Sequence, residues 1–217
     1  MKLSIIVPCH NLEKYIHNLL NSFDNQKEIN WNDFDLIFVL DDCTDNTEKI
    51  IKDWLNNRLI FNHAIYKTNN HSAGLTRNVG KDNAIGDYIW FIDGDDWLYH
   101  THVLNIIINL LKNNPSIELL HIPYKCNVPQ ITAERSVWQY IFKKDLINNI
   151  KFTDKIIAED TEFLYTAFNN LQNKSHFMRI EDEPMYFYWH NRPGSVTTKY
   201  IEAHPELFQK EKNKNDN

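Results

Sequence analysis

The chain has 217 residues, with 29 acidic and 23 basic side chains giving a formal charge of −6, and 42% of it is hydrophobic. Twelve Phe, ten Tyr and six Trp supply the bulk of a single-domain core, which excludes wholesale disorder. The acidic balance lacks the footprint of a nucleic-acid binder, and five glycines with neither G-x-G-x-x-G nor G-x-x-x-x-G-K-[ST] argue against a dinucleotide fold or a P-loop.

Leu3–Val7 is a short apolar run ended by Pro8, a buried strand. Leu12, Tyr15, Ile16, Leu19, Leu20 and Phe23 then recur at helical spacing. Asp35–Leu40 is a second strand stopping at Asp41-Asp42, and Asp45 with Glu48 has capping-box spacing for a helix through about Leu55. A weaker strand at Ala64–Lys67 precedes a helix over Gly74–Ala84. Tyr88–Ile92 is a strong strand that also ends in acids, Asp93-Gly94-Asp95-Asp96, before a helix carrying Leu104, Ile107, Ile108 and Leu111. This alternation predicts an α/β fold, a mostly parallel central sheet with helices on both faces. Beyond it come a strand at Leu119–Ile122, a helix after Glu159-Asp160 carrying Phe163, Leu164, Ala167, Phe168 and Leu171, and a strand at Met185–Trp189 leading into His190–Ser195. Residues 1–100 and 101–204 are expected to form two halves of one compact domain, followed by a polar tail over 205–217.

Cys9, Cys43 and Cys126 have no C-x-x-C spacing, so a reducing compartment is expected. The apolar start is too short for a signal peptide, and Asn105 and Asn109 interrupt the longest apolar stretch. The expectation is a cytoplasmic chain with no transmembrane segment, with lysines in the tail available for peripheral membrane contact.

In open α/β sheets, ligands bind at the carboxyl ends of the strands. Five carboxylates, Asp41, Asp42, Asp93, Asp95 and Asp96, end two strands here, a concentration of charge that a hard divalent cation with oxygen ligands would neutralise. Helix capping is the plainer explanation for some of them.

Ser4–Asn11, Val39–Asp45, Gly74–Gly80, Ala84–Ile89, Phe91–Asp96, Glu159-Asp160 and Tyr188–Ser195 occur in an order and spacing that resemble the GT-A-fold glycosyltransferases of the inverting family 2 type. The resemblance implies a Rossmann-like GT-A sheet and transfer of a sugar from a nucleotide-sugar donor, a UDP-sugar first of all, to an acceptor hydroxyl. It implies that Pro8, Asn11, Asp42, Arg77, Asp93, Asp96 and Arg192 bind the donor. Asp93-Gly94-Asp95 matches the D-x-D motif, with Asp95, Asp93 and His190 as ligands of Mn2+ or Mg2+. Asp160 matches the general base, with Glu159 as the runner-up. The implied acceptor is a saccharide or lipid-linked saccharide, a hydroxylated DNA base being the remoter alternative. Cys43 and Thr44 depart from the family's usual Gly and Ser. A nucleotidyltransferase and a catalytically inactive sugar-nucleotide-binding module are the rival readings. The first of these lacks a glycine- and lysine-rich phosphate loop after the first strand.

Overall fold

A computed structural model describes residues 1–56, 58, 62–129, 136–155, 158–181 and 183–204. The tail expected over 205–217 lies outside them. The first half runs β1 (Leu3–Cys9), α1 (Ile16–Asp24), β2 (Phe34–Asp41), α2 (Thr47–Asn56), β3 (Asn62–Thr68), α3 (Ala73–Asn83), β4 (Tyr88–Phe91) and β5 (Trp97–Leu98), and the second opens with α4 (Val103–Asn113). The second half adds β6 (Leu119–His121), β7 (Tyr124–Cys126), β8 (Tyr140–Lys143), α5 (Lys144–Ile147), α6 (Glu159–Asn169), β9 (Phe177–Arg179), β10 (Tyr186–Tyr188) and α7 (Val196–Ala203).

Seven strands form the main sheet in the order β3-β2-β1-β4-β8-β6-β9. The first four are parallel, β8 runs antiparallel to both β4 and β6, and β9 is parallel to β6. A single sheet therefore draws strands from both halves of the chain. A smaller sheet, β5-β10-β7, stands apart from it.

Both faces of the sheet are buried at β1, β2 and β4, as central parallel strands require. Along β1, Leu3, Ile5 and Val7 join a core with Ile16, Leu19 and Phe23 of α1 and Ile107 of α4, whereas Ile6 joins a second core with Phe163 and Ala167 of α6. β2 divides in the same way, Leu36 and Phe38 to the first core and Ile37 and Val39 to the second. This is the period-2 alternation of a strand covered on both sides.

Two expectations shift in detail. Helix α1 begins at Ile16, because Leu12–Tyr15 form a turn closed by Tyr15 N–H donating to the Leu12 carbonyl at 2.8 Å. Asp45 does accept from Thr47 N at 2.9 Å at the start of α2, but Glu48 pairs with Lys52 and Lys67 instead of completing the capping box.

Helix α3 approaches the sheet closely at Gly80, where a Cβ would lie 2.3 Å from Ile6 Cγ2 in the middle of β1. Ile6 is β-branched and fully buried, so neither side can yield cheaply. Gly80→Ala is expected to lower unfolding free energy by about 1–3 kcal/mol in a urea titration; an unchanged midpoint would contradict this close approach.

Candidate active site

A cavity of about 610 Å³ opens at the carboxyl ends of β1, β2 and β4. The topology dictates this position, since the parallel strands all discharge their loops on one edge. Pro8, Arg77, Asp93, Asp95, Asp96, Asp160 and Arg192 line it, together with Glu159 and Trp189.

Arg77 organises the interior. Its position on α3, one turn beyond the Ser72 N-cap, sends the guanidinium beneath the end of β4. Nη2 donates to Asp93 Oδ1 at 2.8 Å, and Nη1 donates to Glu159 Oε1 at 3.1 Å and Asp160 Oδ1 at 3.2 Å. The side chain is only 5% exposed, and Nε has no partner among the described residues. Burial opposes its charge, but Asp160, Asp93 and Glu159 outweigh that and hold it above the ordinary arginine range. One cation thus joins the D-x-D segment after β4 to the first turn of α6.

Asp160 receives a second bond, from Val137 N–H at 3.1 Å to Oδ2. Burial pushes its carboxyl up to about 7, with Arg77 opposing and Glu159 and Asp93 adding to the rise. Asp95 is raised by burial and by Asp93, against the pull of Arg192, whose Nε bonds its Oδ2. The Arg192 guanidinium also lies 4.5 Å from the Tyr15 ring centre.

Asp96, 1% exposed, spends both oxygens internally: Oδ2 accepts from Tyr186 Oη at 2.7 Å and Oδ1 from Trp189 N at 2.7 Å. Burial and the neighbouring Asp95 and Asp93 raise it well above the carboxylate range. It fastens the D-x-D loop to β10 while still lining the cavity.

The remaining sequence-derived residues lie elsewhere. Asp42 has a left-handed backbone (φ 45°) and an exposed carboxylate, 3.8 Å from His71 Nδ1. Its neighbour Asp41 lines the cavity, with its oxygens taken by His71 N, Ser72 N and Thr76 Oγ1. Asn11 braces the loop after β2 by accepting from Thr44 N at 2.8 Å. His190 is not brought to Asp93 and Asp95; its backbone N–H donates to Asn127 Oδ1 at 2.7 Å, and its ring meets the Tyr188 hydroxyl. Among the described residues no group of three or more His, Cys, Asp or Glu side chains is arranged to hold a metal ion. Asp41, expected among the strand-end acids, is at the cavity, whereas sequence reasoning missed its partners Ser72 and Thr76; the one available signal was a Ser before a helical run, a helix N-cap. Trp138 and Trp189 also line the cavity, Trp138 while buried in the first core.

The raised Asp160 has a measurable consequence. A carboxyl with a folded pKa above its unfolded value binds more protons in the native state, so its contribution to stability falls as pH rises from about 4 to 7. Asp160→Asn is expected to match the metal-free wild type below pH 4 and to gain stability relative to it as pH rises to 8, read by urea denaturation. Parallel curves across that window would contradict the raised carboxyl.

The sequence model of Glycosyl transferase family 2 matches residues 4–169. The poly(ribitol-phosphate) beta-N-acetylglucosaminyltransferase TarS of Staphylococcus aureus is 29% identical over 230 residues, covering 96% of this chain and 39% of the relative. The minor teichoic acid biosynthesis protein GgaB of Bacillus subtilis is 31% identical over 229 residues, covering 94% of this chain and 25% of the relative. This chain therefore spans well under two thirds of either protein. A crystal structure of S. aureus TarS 1–349 in complex with UDP-GlcNAc superposes with a TM-score of 0.79 at 25% identity, over 91% of this chain and 61% of that one. The mannosyltransferase PcManGT of Pyrobaculum calidifontis, in complex with GDP-Man and Mn2+, shares the fold, with a TM-score of 0.73 at 14% identity over 96% of this chain and 62% of that one. No described helix is long and apolar enough to cross a membrane. The expected GT-A architecture is therefore the observed one, and the chain belongs to glycosyl transferase family 2.

Proposed function

We propose that this chain transfers a sugar from a UDP-sugar donor to an acceptor hydroxyl with inversion at the anomeric carbon. The observation that carries the reading is the placement of Asp160: a half-buried carboxylate in a strand-end cavity, hydrogen-bonded to an arginine that also holds the first acid of the D-x-D segment. A base with a pKa near neutrality is matched to removing a hydroxyl proton at cellular pH. In the transfer, Asp160 accepts the proton of the acceptor hydroxyl as its oxygen bonds the anomeric carbon. The bond from that carbon to the diphosphate oxygen breaks on the opposite face, and the electron pair leaves with the nucleoside diphosphate. Arg77 orients Asp160 and opposes its burial-driven protonation. Trp189 walls the cavity, and the acceptor is read as a saccharide or lipid-linked saccharide.

A divalent cation, Mn2+ or Mg2+, fits the donor set. Asp93 and Asp95 offer hard oxygen ligands, and such ions use one or two carboxylates and leave positions for phosphate oxygens. Six carboxyl groups (Asp41, Asp93, Asp95, Asp96, Glu159, Asp160) face two guanidinium groups and the Lys199 ammonium in the cavity, so the site favours further positive charge. The Arg192 guanidinium already meets Asp95 as a cation would. When bound, the metal supplies neutralisation of the charge that develops on the departing diphosphate.

The reading also accounts for Pro8 at the cavity edge, where the donor nucleotide would lie, and for Arg192 as a phosphate ligand once released from Asp95. The test is product analysis by mass spectrometry with UDP-GlcNAc, UDP-glucose and UDP-galactose and a panel of saccharide acceptors in Mn2+. Wild type is expected to release UDP and to extend an acceptor with the anomeric configuration inverted. Asp160→Asn is expected to lower turnover roughly 10²–10⁴-fold. Equal turnover in Asp160→Asn, or retention of configuration, would overturn it.

A further inference from the structure

A second pocket, of about 250 Å³, lies between α1 and the outer edge of β5, away from the acidic cavity. Asn18, Asn21 and Asn25 line it from the helix side, and Trp97, Tyr99 and His100 from the strand side. The three asparagines are spaced three and four residues apart, so their amides follow one helix face. All three are exposed, and their side-chain amides make no hydrogen bond to another described residue. Each therefore presents free donors and an acceptor.

The strand side is aromatic and braced. Trp97 stacks on Phe187 of β10 with ring centres 4.2 Å apart and 9° between planes. Tyr99 lies parallel to the same ring at 6.3 Å, and Lys125 Nζ donates to its hydroxyl at 3.0 Å. Tyr99 is nonetheless 37% exposed. His100 contributes a buried Nε2 with no partner among the described residues, a polar atom whose desolvation is uncompensated. Burial lowers its pKa, so the imidazole is neutral.

The lining is uncharged: beside the three free amides, the two aromatic rings and the neutral imidazole it holds only Ser22, Gln26, Leu98 and Thr101. Amides in a row beside indole and phenol suit a sugar ring, whose C–H face packs on aromatics while its hydroxyls pair with amides. A phosphate or an acidic ligand would find no cation in this lining. The pocket is also joined to the cavity by aromatic contact: Trp97 meets Trp189 edge-on at 6.1 Å, and Trp189 lines the acidic cavity.

We propose that this pocket is a binding subsite for a neutral sugar unit of the acceptor chain, distant from the unit that receives the transferred sugar. That role rests on the glycosyl-transfer reading above, whereas the ligand class follows from the pocket's own lining. The test uses saturation-transfer NMR with neutral di- to tetrasaccharides of glucose, galactose and N-acetylglucosamine, on wild type, Tyr99→Ala and Asn21→Leu. Tyr99 and Asn21 lie outside the acidic cavity, so UDP binding in Mn2+, measured in parallel by calorimetry, is expected to stay within twofold. Wild type is expected to bind at least one saccharide, and each variant to weaken it fivefold or more. Absence of binding to every saccharide in the panel, or equal binding by all three proteins, would overturn the subsite. Absence of UDP binding by wild type would instead strike the donor reading, while the saccharide result still decides the subsite.

Discussion

The fold of this cavity depends on one ion cluster, the guanidinium of Arg77 set between Asp93, Glu159 and Asp160. Removing a charge from water costs several kcal/mol, and an arginine this deeply buried persists only with carboxylates around it. The carboxylates it requires come from segments about 16 and 83 residues away in sequence, the loop after β4 and the start of α6. Electrostatics therefore dictates that the two halves of the chain meet at one point. The same cluster leaves more negative than positive charge in the cavity, and burial then raises the carboxyls of Asp95, Asp96 and Asp160. Such a site is built to take up positive charge and to hold a carboxyl that titrates near neutral pH.

The sheet supplies the frame for that cluster. Buried on both faces, β1, β2 and β4 fix the positions of their carboxyl ends, and the loops there inherit that rigidity. Asp96 extends it by binding Tyr186 and Trp189, which ties the D-x-D loop to the small sheet. One aspartate in this run thus serves architecture, another faces the second arginine, and the third faces the first. Three chemically identical side chains in four positions are separated in role by where the backbone turns.

Much of this was legible before the structure, and the limits have physical causes. Strands β1, β2 and β4 could be read because each is an apolar run with both faces buried, ending close to acids or Pro8. Strands β5, β7 and β8 could not, since two to four residues carry no periodicity and pairing with distant partners defines them. Asp95, Arg77 and Asp160 were found from their resemblance to a motif, yet their mutual pairing has no signature in a linear sequence. Asp41 and Asp42 illustrate a finer limit. They are adjacent and identical, and only the left-handed turn at Asp42 sends one carboxylate into the cavity edge and the other towards solvent. His190 shows the converse, a metal-competent side chain in a matching segment that the fold turns towards Tyr188.

The central claim is that the acids at the strand ends hold a nucleoside diphosphate together with a cation. Isothermal titration of UDP into the protein, with and without Mn2+, tests it most directly when repeated on Asp95→Ala. The account predicts Mn2+-dependent binding in wild type and at least a tenfold weaker Kd in the variant, about 1.4 kcal/mol. Equal UDP affinity in both proteins, or affinity indifferent to Mn2+, would contradict it.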